Sequence, residues 1–365
     1  MAQSVFFHPG GDMFPINRIR FFLGLLLLGL QVTAWAEDLE QASSYELGKG
    51  WQVPGTGFNL GGYASGGFED DHSKGWALGM DDLSLFVRWE GEGKLRLFSE
   101  FDLEAPVTLQ EGSGLTTKNA YLALERLYMD YLYSDKLNFR GGKYLTPIGR
   151  WNLLHAAPLV WTTTRPLITE YAFPTNATGA MAYGTLPLFG TEIDYSVYTA
   201  IGNDWRPNPK LDPFSEAKGL HFNVPLGRAG QFGVSYANFE QKSSIGEHKN
   251  LVGLDYYWEH NRYEITSEAV YRSSDEGSSQ KEQGIFVQAA IPLTQRLYGI
   301  ARYEVYDPAG SSPTVNLWLA GLALRVAPSV LLKAEYSHPN HNTIQSSNGT
   351  NNVPDGLFTS FAIMF

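Results

Sequence analysis

Residues 142–179 read GKYLTPIGRWNLLHAAPLVWTTTRPLITEYAFPTNATG, and they form the longest stretch of the chain without strand-like alternation. Proline, which cannot donate a ladder hydrogen bond in a sheet, interrupts the stretch four times, at Pro147, Pro158, Pro166 and Pro174. The stretch also carries many large apolar side chains, among them Trp151, Leu153, Leu154, Leu159, Val160, Trp161, Leu167, Ile168, Tyr171 and Phe173. A loop this long and this apolar must bury itself against another part of the protein.

The segments on both sides of this stretch alternate apolar and polar residues with a period of two, the pattern of a strand with one apolar face. Leu83, Leu85, Val87 and Trp89, for example, share one face of a segment whose other face is largely polar. Such segments are about 9 to 13 residues long, the length that a tilted transmembrane strand needs. Tyrosine and tryptophan gather near their ends, as in the interfacial girdles of membrane barrels. We therefore predict an all-β fold, a transmembrane antiparallel β-barrel.

The alternation predicts about 16 strands, an even number as in bacterial barrels. Seven short connections alternate with eight long ones, which span residues 68–80, 105–119, 144–178, 202–215, 241–247, 273–281, 307–314 and 339–355. This order is expected of a barrel with both chain ends on one side. The lumen faces of the strands near 120–133 and 315–326 stay unassigned, because charged or aromatic side chains fall on opposite faces of each, Glu125 against Asp130 and Trp318 against Arg325.

The long connection at 144–178 follows the fifth strand of this series. We predict that it folds into the lumen and narrows it, because a barrel of this size has a lumen wide enough to receive a loop. The alternative interpretation is a surface loop that packs on its own side chains.

The N-terminus has the three parts of a secretory signal. Arg18 and Arg20 precede an apolar run at residues 21–30, and Ala34-Trp35-Ala36 supplies a cleavage site. The apolar run is short for a membrane anchor, so secretion is the preferred interpretation. The predicted division is a cleaved signal peptide at 1–36, a short periplasmic lead at 37–57 and the barrel at 58–365.

Composition limits the classes of partner. The 38 acidic residues outnumber the 27 basic ones, for a formal net charge of −11, which argues against nucleic acid as a partner. The chain has no cysteine, so disulfides and thiolate metal sites are excluded. No later run of about 18 apolar residues predicts a transmembrane helix.

The last strand and the residues before the long loop carry a family resemblance. Leu357, Phe361, Ile363 and the terminal Phe365 share one face, and a strand ending in phenylalanine resembles the end of bacterial outer-membrane barrels. With the strand count and the loop after the fifth strand, the whole mature chain resembles the general bacterial porins. Residues 142–149, GKYLTPIG, are similar to the G-K-x-x-x-P-x-G stretch of the phosphate-selective porin O and P family.

This resemblance implies a channel in the outer membrane of a Gram-negative-type bacterium. We expect passive diffusion of small hydrophilic solutes or ions, a homotrimer, and contact with outer-membrane lipid and lipopolysaccharide. The alternatives are a substrate-specific or gated carrier, or a barrel enzyme that acts on lipid. Porins O and P have a basic lumen, whereas the lumen predicted here is mixed in charge, with inward side chains that include Arg88, Lys94, Arg96, Glu100, Asp102, Arg140, Arg262, Glu264 and Arg302.

The long loop is expected to set the pore. Its predicted constriction residues are Arg150, Trp151, His155, Trp161, Arg165 and Glu170. Because the two arginines and His155 outnumber the single carboxylate, a weak anion preference is predicted. In the alternative interpretation, both arginines pair with wall carboxylates and only hold the loop in place. The third strand would add Glu100 and Asp102 across the pore.

Enzymatic and metal-binding patterns are weak in this sequence. Glu264 and Glu268 share a strand face but lie about 13 Å apart by strand rise, too far for a simple carboxylate pair. His338 and His341 have no third metal ligand beside them, and Ser235 is expected to lack a nearby histidine on its face. We therefore predict no catalytic residues, no metal and no cofactor, and the protein is not expected to be an enzyme.

Overall fold

The computed structural model describes residues 45–188, 190–201, 204–205, 212–275, 281–310, 312–346 and 349–365. Within them, one continuous antiparallel sheet contains 19 strands, of which 16 form the barrel and three are short, at Tyr45–Glu46, Gly50–Gln52 and Gly114–Thr116. These barrel strands are β1 (Phe58–Asp71), β2 (Gly75–Glu90), β3 (Leu95–Gln110), β4 (Tyr121–Ser134), β5 (Leu137–Leu145), β6 (Asn176–Leu188), β7 (Thr191–Ile201), β8 (Phe214–Leu226), β9 (Gly230–Gln241), β10 (Lys249–His260), β11 (Tyr263–Ser274), β12 (Glu282–Pro292), β13 (Leu297–Asp307), β14 (Val315–Ala327), β15 (Val330–Pro339) and β16 (Gly356–Met364).

The sheet closes on itself, because β16 pairs antiparallel with β1 from Gly356 opposite Asp71 to Met364 opposite Tyr63. Closure removes the open strand edges that a lipid environment does not tolerate. The outer face carries an apolar belt of exposed side chains, for example Leu85, Val252 and Ile265. The predicted transmembrane barrel of 16 strands is confirmed. The structure has one turn end, where the connections are short, and one loop end, where most are longer.

The first connection at the loop end is much shorter than predicted. A loop was expected at 68–80, but β1 continues to Asp71 and β2 begins at Gly75, so only residues 72–74 lie between them. The polar residues at the end of β1 were interpreted as loop. They instead continue the ladder, since backbone pairing does not require apolar side chains. The strands β1 to β3 therefore form a longer wall than the sequence suggested.

A β-bulge explains why the faces of β4 were ambiguous. Glu100 of β3 pairs with Arg126 and Phe101 pairs with Leu124, so Glu125 is an extra residue in β4. An extra residue changes which side chains face inward. As a result Glu125 and Asp130 are both buried, Glu125 beside Asn176 and Asp130 beside Arg140.

In β14 the two ambiguous side chains do lie on opposite faces. Trp318 is 63% exposed on the outer face. Arg325 lines a cavity inside the barrel at the turn end. The strand therefore presents an aromatic side chain to the lipid side and a basic one to the lumen.

The chain before the barrel pairs briefly with it. Short strands at Tyr45–Glu46 and Gly50–Gln52 pair with each other, and Trp51 pairs with Leu60 of β1. The predicted signal peptide and the first part of the predicted lead lie outside the described residues. In the part of the chain that the structure describes, no helix is long and apolar enough to cross a membrane.

Small residues on the outer face of β1 make room for the last strand. A Cβ at Gly62 would lie 3.1 Å from the ring of Phe365, and a Cβ at Gly66 would lie 3.0 Å from the ring of Phe361. Phe365 also exchanges backbone hydrogen bonds with Gly62. The glycines thus allow two aromatic side chains to cover the closing seam of the barrel.

Candidate functional site

The segment between β5 and β6, residues 146–175, is called the lumen loop from here on. It contains two short helices, α1 (Trp151–Leu154) and α2 (Leu167–Tyr171). Its two ends are tied together, because the Asn152 side-chain amide donates to the carbonyls of Thr146 at 2.8 Å and Thr175 at 3.0 Å. Ile148, Leu167 and Ile168 are almost fully buried, as the apolar composition of the loop requires.

Three glutamates, one each on β11, β13 and β15, hold the lumen loop by its backbone N–H groups. Glu268 of β11 accepts from Arg150 at 2.9 Å and from Trp151 at 2.5 Å, where α1 begins. Glu304 of β13 accepts from Leu167 at 2.7 Å, where α2 begins. The first N–H groups of a helix have no partner within the helix and carry partial positive charge, so a carboxylate stabilises them.

The third glutamate holds the loop between its two helices. Glu335 of β15 accepts from the backbone N–H groups of Thr163 at 2.8 Å and Thr164 at 2.7 Å. Each of the two contacts uses a different oxygen of the same carboxylate. Because a buried N–H without a partner is costly, this carboxylate fixes a non-helical part of the loop against the wall.

Basic side chains from the same strands hold the loop by its oxygen atoms. Arg302 of β13, almost fully buried, donates to the Thr162 hydroxyl at 2.8 Å and to the Thr164 carbonyl at 2.9 Å. Lys333 of β15 donates to the carbonyls of Ala157 and Thr162, each at 3.0 Å. We call the six side chains that hold the loop in this way the clamp wall: Glu268, Arg272, Arg302, Glu304, Lys333 and Glu335.

The last member of the clamp wall acts near the end of the loop. Arg272 of β11 donates to the Ala172 carbonyl at 2.9 Å and pairs with Glu282 of β12. The clamp wall therefore contacts the loop with both signs of charge, carboxylates on its N–H groups and cations on its oxygens. Such pairing compensates the cost of burying the charges.

A second group of charged side chains lies on β2 to β4 and is called the facing wall: Asp82, Glu100, Asp102, Glu104, Glu125 and Arg126. Asp82 is directly opposite Glu104 in the β2–β3 pair, and Glu100 and Asp102 occupy successive inward positions of β3. Arg126 pairs with Glu100. Within this group, Glu125 contacts the lumen loop, since its carboxylate lies 3.6 Å from the His155 ring.

Two cavities lie inside the barrel and share no lining residue. The cavity at the turn end has a volume of about 660 Å³ and reaches the loop residues Ala156, Pro158 and Leu159. The cavity at the loop end has a volume of about 620 Å³ and reaches the loop residues Arg165 and Glu170. The lumen loop thus contributes to both cavities with different parts of its chain.

The cavities differ in the charges that line them. At the turn end the charged lining residues are Arg88, Arg96, Arg126, Arg325, Glu90 and Asp130. At the loop end they are Glu69, Asp71, Asp81, Glu170, Asp212, Lys74 and Arg165. Basic residues predominate at the turn end and acidic residues at the loop end.

The six predicted constriction residues lie at separate places along the lumen loop. Arg165 and Glu170 line the loop-end cavity, with Arg165 Nε 3.5 Å from Glu170. Trp151 is buried, and the Arg165 guanidinium lies 4.8 Å from its ring.

The other predicted constriction residues contact the barrel wall. The Arg150 guanidinium lies 3.9 Å from the Tyr257 ring, and its Nη1 donates to Gln231 at 3.2 Å. The Trp161 ring packs against the Tyr298 ring, with 4.5 Å between their centroids and the planes tilted by 37°. Arg165 thus pairs with Glu170 of the loop itself, and the Arg150 guanidinium contacts Tyr257 and Gln231 of the wall. Side chains of the barrel wall hold the lumen loop in place.

Among the predicted lumen residues, several lie inside the barrel. Arg88 and Arg96 line the turn-end cavity, and Arg140 makes a bidentate pair with Asp130, at 2.7 and 2.9 Å. Glu100 and Asp102 belong to the facing wall, and Arg302 to the clamp wall. Glu264 lies 3.5 Å from the hydroxyl of Tyr257, whose ring contacts the Arg150 guanidinium.

Lys94 and Arg262 differ from these residues because they lie in turns. Lys94 is exposed, its Nζ donates to the Tyr133 carbonyl at 2.9 Å, and it lies 5.0 Å from the exposed Tyr133 ring. Arg262 donates to the carbonyls of Thr294 and Gln295, each at 2.8 Å, in the neighbouring turn. Strand alternation ends at a turn, so it could not place these two side chains.

His155 is held as a neutral ring in the lumen loop. Its Nδ1 lies 2.7 Å from the Asn152 carbonyl, which an N–H at Nδ1 would satisfy. Burial, and then the charge of Arg165, lower the pKa of His155 to about 4. The ring therefore adds no positive charge to the loop at neutral pH.

Ser235 does have a histidine beside it, contrary to the expectation from sequence. His221 is its cross-strand neighbour in the β8–β9 pair, and Nδ1 of the ring lies 2.9 Å from the Ser235 hydroxyl. Asp255 lies 3.9 Å from the same Nδ1. A hydrolytic triad needs the serine and the aspartate on different ring nitrogens. Here the buried hydroxyl accepts from the Gly149 N–H at 3.2 Å and supports the lumen loop.

Comparison with known proteins identifies the fold. No family model matches the chain. A protein of Aquifex aeolicus whose function is not characterised is 23% identical over 337 residues, covering 77% of this chain and 75% of that protein. The anion-selective porin from Comamonas acidovorans superimposes with a TM-score of 0.56 at 13% identity, over 84% of this chain and 98% of that one. OmpT of Vibrio cholerae in its trimer form gives 0.55 at 9% identity, over 84% and 98%.

These structures are similar to this chain along nearly their whole length. The chain therefore has the fold of the bacterial outer-membrane porins, as the sequence resemblance predicted.

Proposed function

We propose that the protein is an outer-membrane diffusion channel for small hydrophilic solutes or ions, with the lumen loop as its constriction. The observation that carries this proposal is the clamp wall, which fixes the loop inside a closed barrel rather than on its surface. A channel needs such an element to restrict a lumen that 16 strands would otherwise leave wide. The loop end then faces the outside of the cell and the turn end faces the periplasm.

The charges of the two cavities favour weak ion selectivity. A passing ion meets mostly acidic residues at the loop end and mostly basic residues at the turn end, so each half of the path attracts the opposite sign. The basic turn-end cavity supports the weak anion preference predicted from sequence. The acidic facing wall acts against it, and the expected reversal potential under a salt gradient is therefore small.

Planar-bilayer recording of the mature protein tests the proposal. Stable single-channel steps, with a conductance that a panel of salts and sugars changes according to solute size, are the expected result. A chain that conducts nothing until one solute is added would instead be a gated or substrate-specific carrier. A silent chain that hydrolyses lipid esters would be a barrel enzyme, and either outcome would overturn the channel assignment.

We also infer a homotrimer, which rests on the similarity to OmpT in its trimer form. The small outer residues of β1 do not by themselves favour a subunit contact there, because Phe361 and Phe365 of the same chain cover them. Sedimentation of the detergent-solubilised protein should give a mass near three chains. A single-chain mass in several detergents would contradict the trimer.

A further inference from the structure

A group of potential metal ligands lies at the loop end, away from the lumen. Glu216 of β8, Glu240 of β9 and His248, which precedes β10, each offer a ligand atom, and the three atoms lie within 4.8 Å of one another. Phe239 and Gln241 on either side of Glu240 belong to the inner face, so Glu240 points to the outer one. The site is therefore separate from the proposed channel.

Two structural features bring these side chains together. Glu216 is directly opposite Glu240 in the strand pair, after a β-bulge at the start of β8. Like charges directly opposite each other destabilise a strand pair unless a cation offsets them. The residues between β9 and β10 then fold back, so that His248 Nε2 lies 3.2 Å from Glu240 Oε1.

The central ligand is already oriented. The Gly246 N–H donates to the other oxygen of Glu240 at 3.1 Å, and Glu240 is buried. Metal sites commonly hold their ligands through such second hydrogen bonds. Glu216 and His248 are exposed, so an ion can enter from solvent and these two side chains can adjust around it.

We propose that Glu216, Glu240 and His248 form a binding site for a divalent transition metal of the Zn²⁺ class. Zinc is bound by imidazole and carboxylate at about 2.0–2.2 Å and accepts three protein ligands with a water in the fourth position. An imidazole ligand selects transition metals over Mg²⁺ and Ca²⁺, which prefer sets made wholly of oxygen. The bound ion would cross-link β8, β9 and the turn between β9 and β10.

A second histidine group supplies the control. His72 and His338 both contact one oxygen of Asp355, at 3.4 and 3.3 Å, also at the loop end. This second group shares no residue with the first. His338→Ala therefore removes a comparable exposed histidine without touching the proposed site.

The test is calorimetric titration of the folded full-length mature protein with Zn²⁺ alone, repeated with Mg²⁺. One zinc per chain is expected, with affinity at least about tenfold weaker in Glu240→Gln and His248→Ala and unchanged in His338→Ala. If Glu240→Gln does not fold, Glu216→Gln replaces it, because Glu216 is exposed. The same loss of zinc affinity is expected in that variant. Equal affinity in wild type and all three site variants, loss in His338→Ala alone, or equal binding of Mg²⁺ would overturn the site. Channel conductance in zinc-free buffer should be unchanged by these variants.

Discussion

The clamp wall and the facing wall both place buried charges inside one barrel, but they use them differently. On the clamp wall each charged side chain contacts the lumen loop, and carboxylates and cations occur in equal number. The facing wall combines five carboxylates with a single arginine, Arg126, and it meets the loop where Glu125 contacts His155. Charge in a porin-like lumen can therefore serve either to hold a loop or to shape the field along a path. The contacts of each charge, and not the sequence alone, distinguish these uses.

The largest effect is expected on the clamp wall. Arg302→Ala removes a buried cation that pairs with Glu304 at 2.7 Å and donates to Thr162 and Thr164. Leaving the partner carboxylate buried and unpaired typically costs about 3–5 kcal/mol. The denaturant midpoint of the folded barrel should fall accordingly, and single-channel conductance should become larger or noisier as the loop loosens.

Arg296→Ala is the matched control for that variant. Arg296 is exposed at the turn end, where it donates to the Val326 carbonyl at 2.9 Å. Its loss should change the midpoint very little, because an exposed hydrogen bond of this kind contributes little. Equal effects of the two substitutions would mean that the clamp wall has no special role.

A smaller effect is expected where the loop meets the facing wall. The pKa of His155 is lowered to about 4, so between about pH 6.5 and pH 4 the unfolded chain binds a proton that the folded chain does not. The free energy of unfolding contributed by this residue is therefore lost as the pH falls through that window. Wild type should lose on the order of 2–3 kcal/mol more than His155→Gln between these pH values, measured by denaturant titration. Parallel pH profiles would contradict a buried neutral ring.

The smallest effect on stability is expected on the facing wall itself. Asp82→Asn with Glu104→Gln keeps the shapes of both side chains and removes two negative charges that lie directly opposite each other in the β2–β3 pair. Relative cation permeability should fall by roughly threefold, which is under 1 kcal/mol in barrier height, while the unfolding midpoint stays the same or rises. A reversal potential identical to that of wild type would show that these carboxylates do not face the path of the ions.

Most of the fold could be predicted from sequence because strand alternation is a local property. Sixteen strands, their closure and a long loop after β5 all follow from it. The bulge at Glu125 could not be predicted, since an extra residue appears only when two strands are paired. The clamp wall could not be predicted either, although Arg302 was predicted to face inward. Glu335 and Thr164 are 171 residues apart in the chain, and their contact depends on where the loop comes to rest.

Ser235 illustrates the same limit at a smaller scale. Its histidine partner lies on the neighbouring strand, 14 residues earlier, and the register of β8 against β9 decides that they meet. Register depends on turn geometry and on packing across the whole sheet. The positions of side chains in turns, such as Lys94 and Arg262, could not be predicted for a related reason, because the strand alternation ends before them.

The central claim, that the lumen loop divides a channel into two compartments, is open to a direct labelling experiment. The chain has no cysteine, so a single introduced thiol is unique. Leu159 is 53% exposed in the turn-end cavity, and Glu170 lines the loop-end cavity. Leu115, 73% exposed beyond β3 at the loop end, provides a control position outside the lumen.

Intact cells that carry Leu159→Cys, Glu170→Cys or Leu115→Cys would be treated with a maleimide too bulky to pass the constriction. Labelling of Glu170→Cys and Leu115→Cys is expected from outside, whereas Leu159→Cys should react only after the outer membrane is opened. Labelling of Leu159→Cys in intact cells at the rate of Glu170→Cys would show that the loop does not separate the two cavities, and the proposed constriction would be wrong.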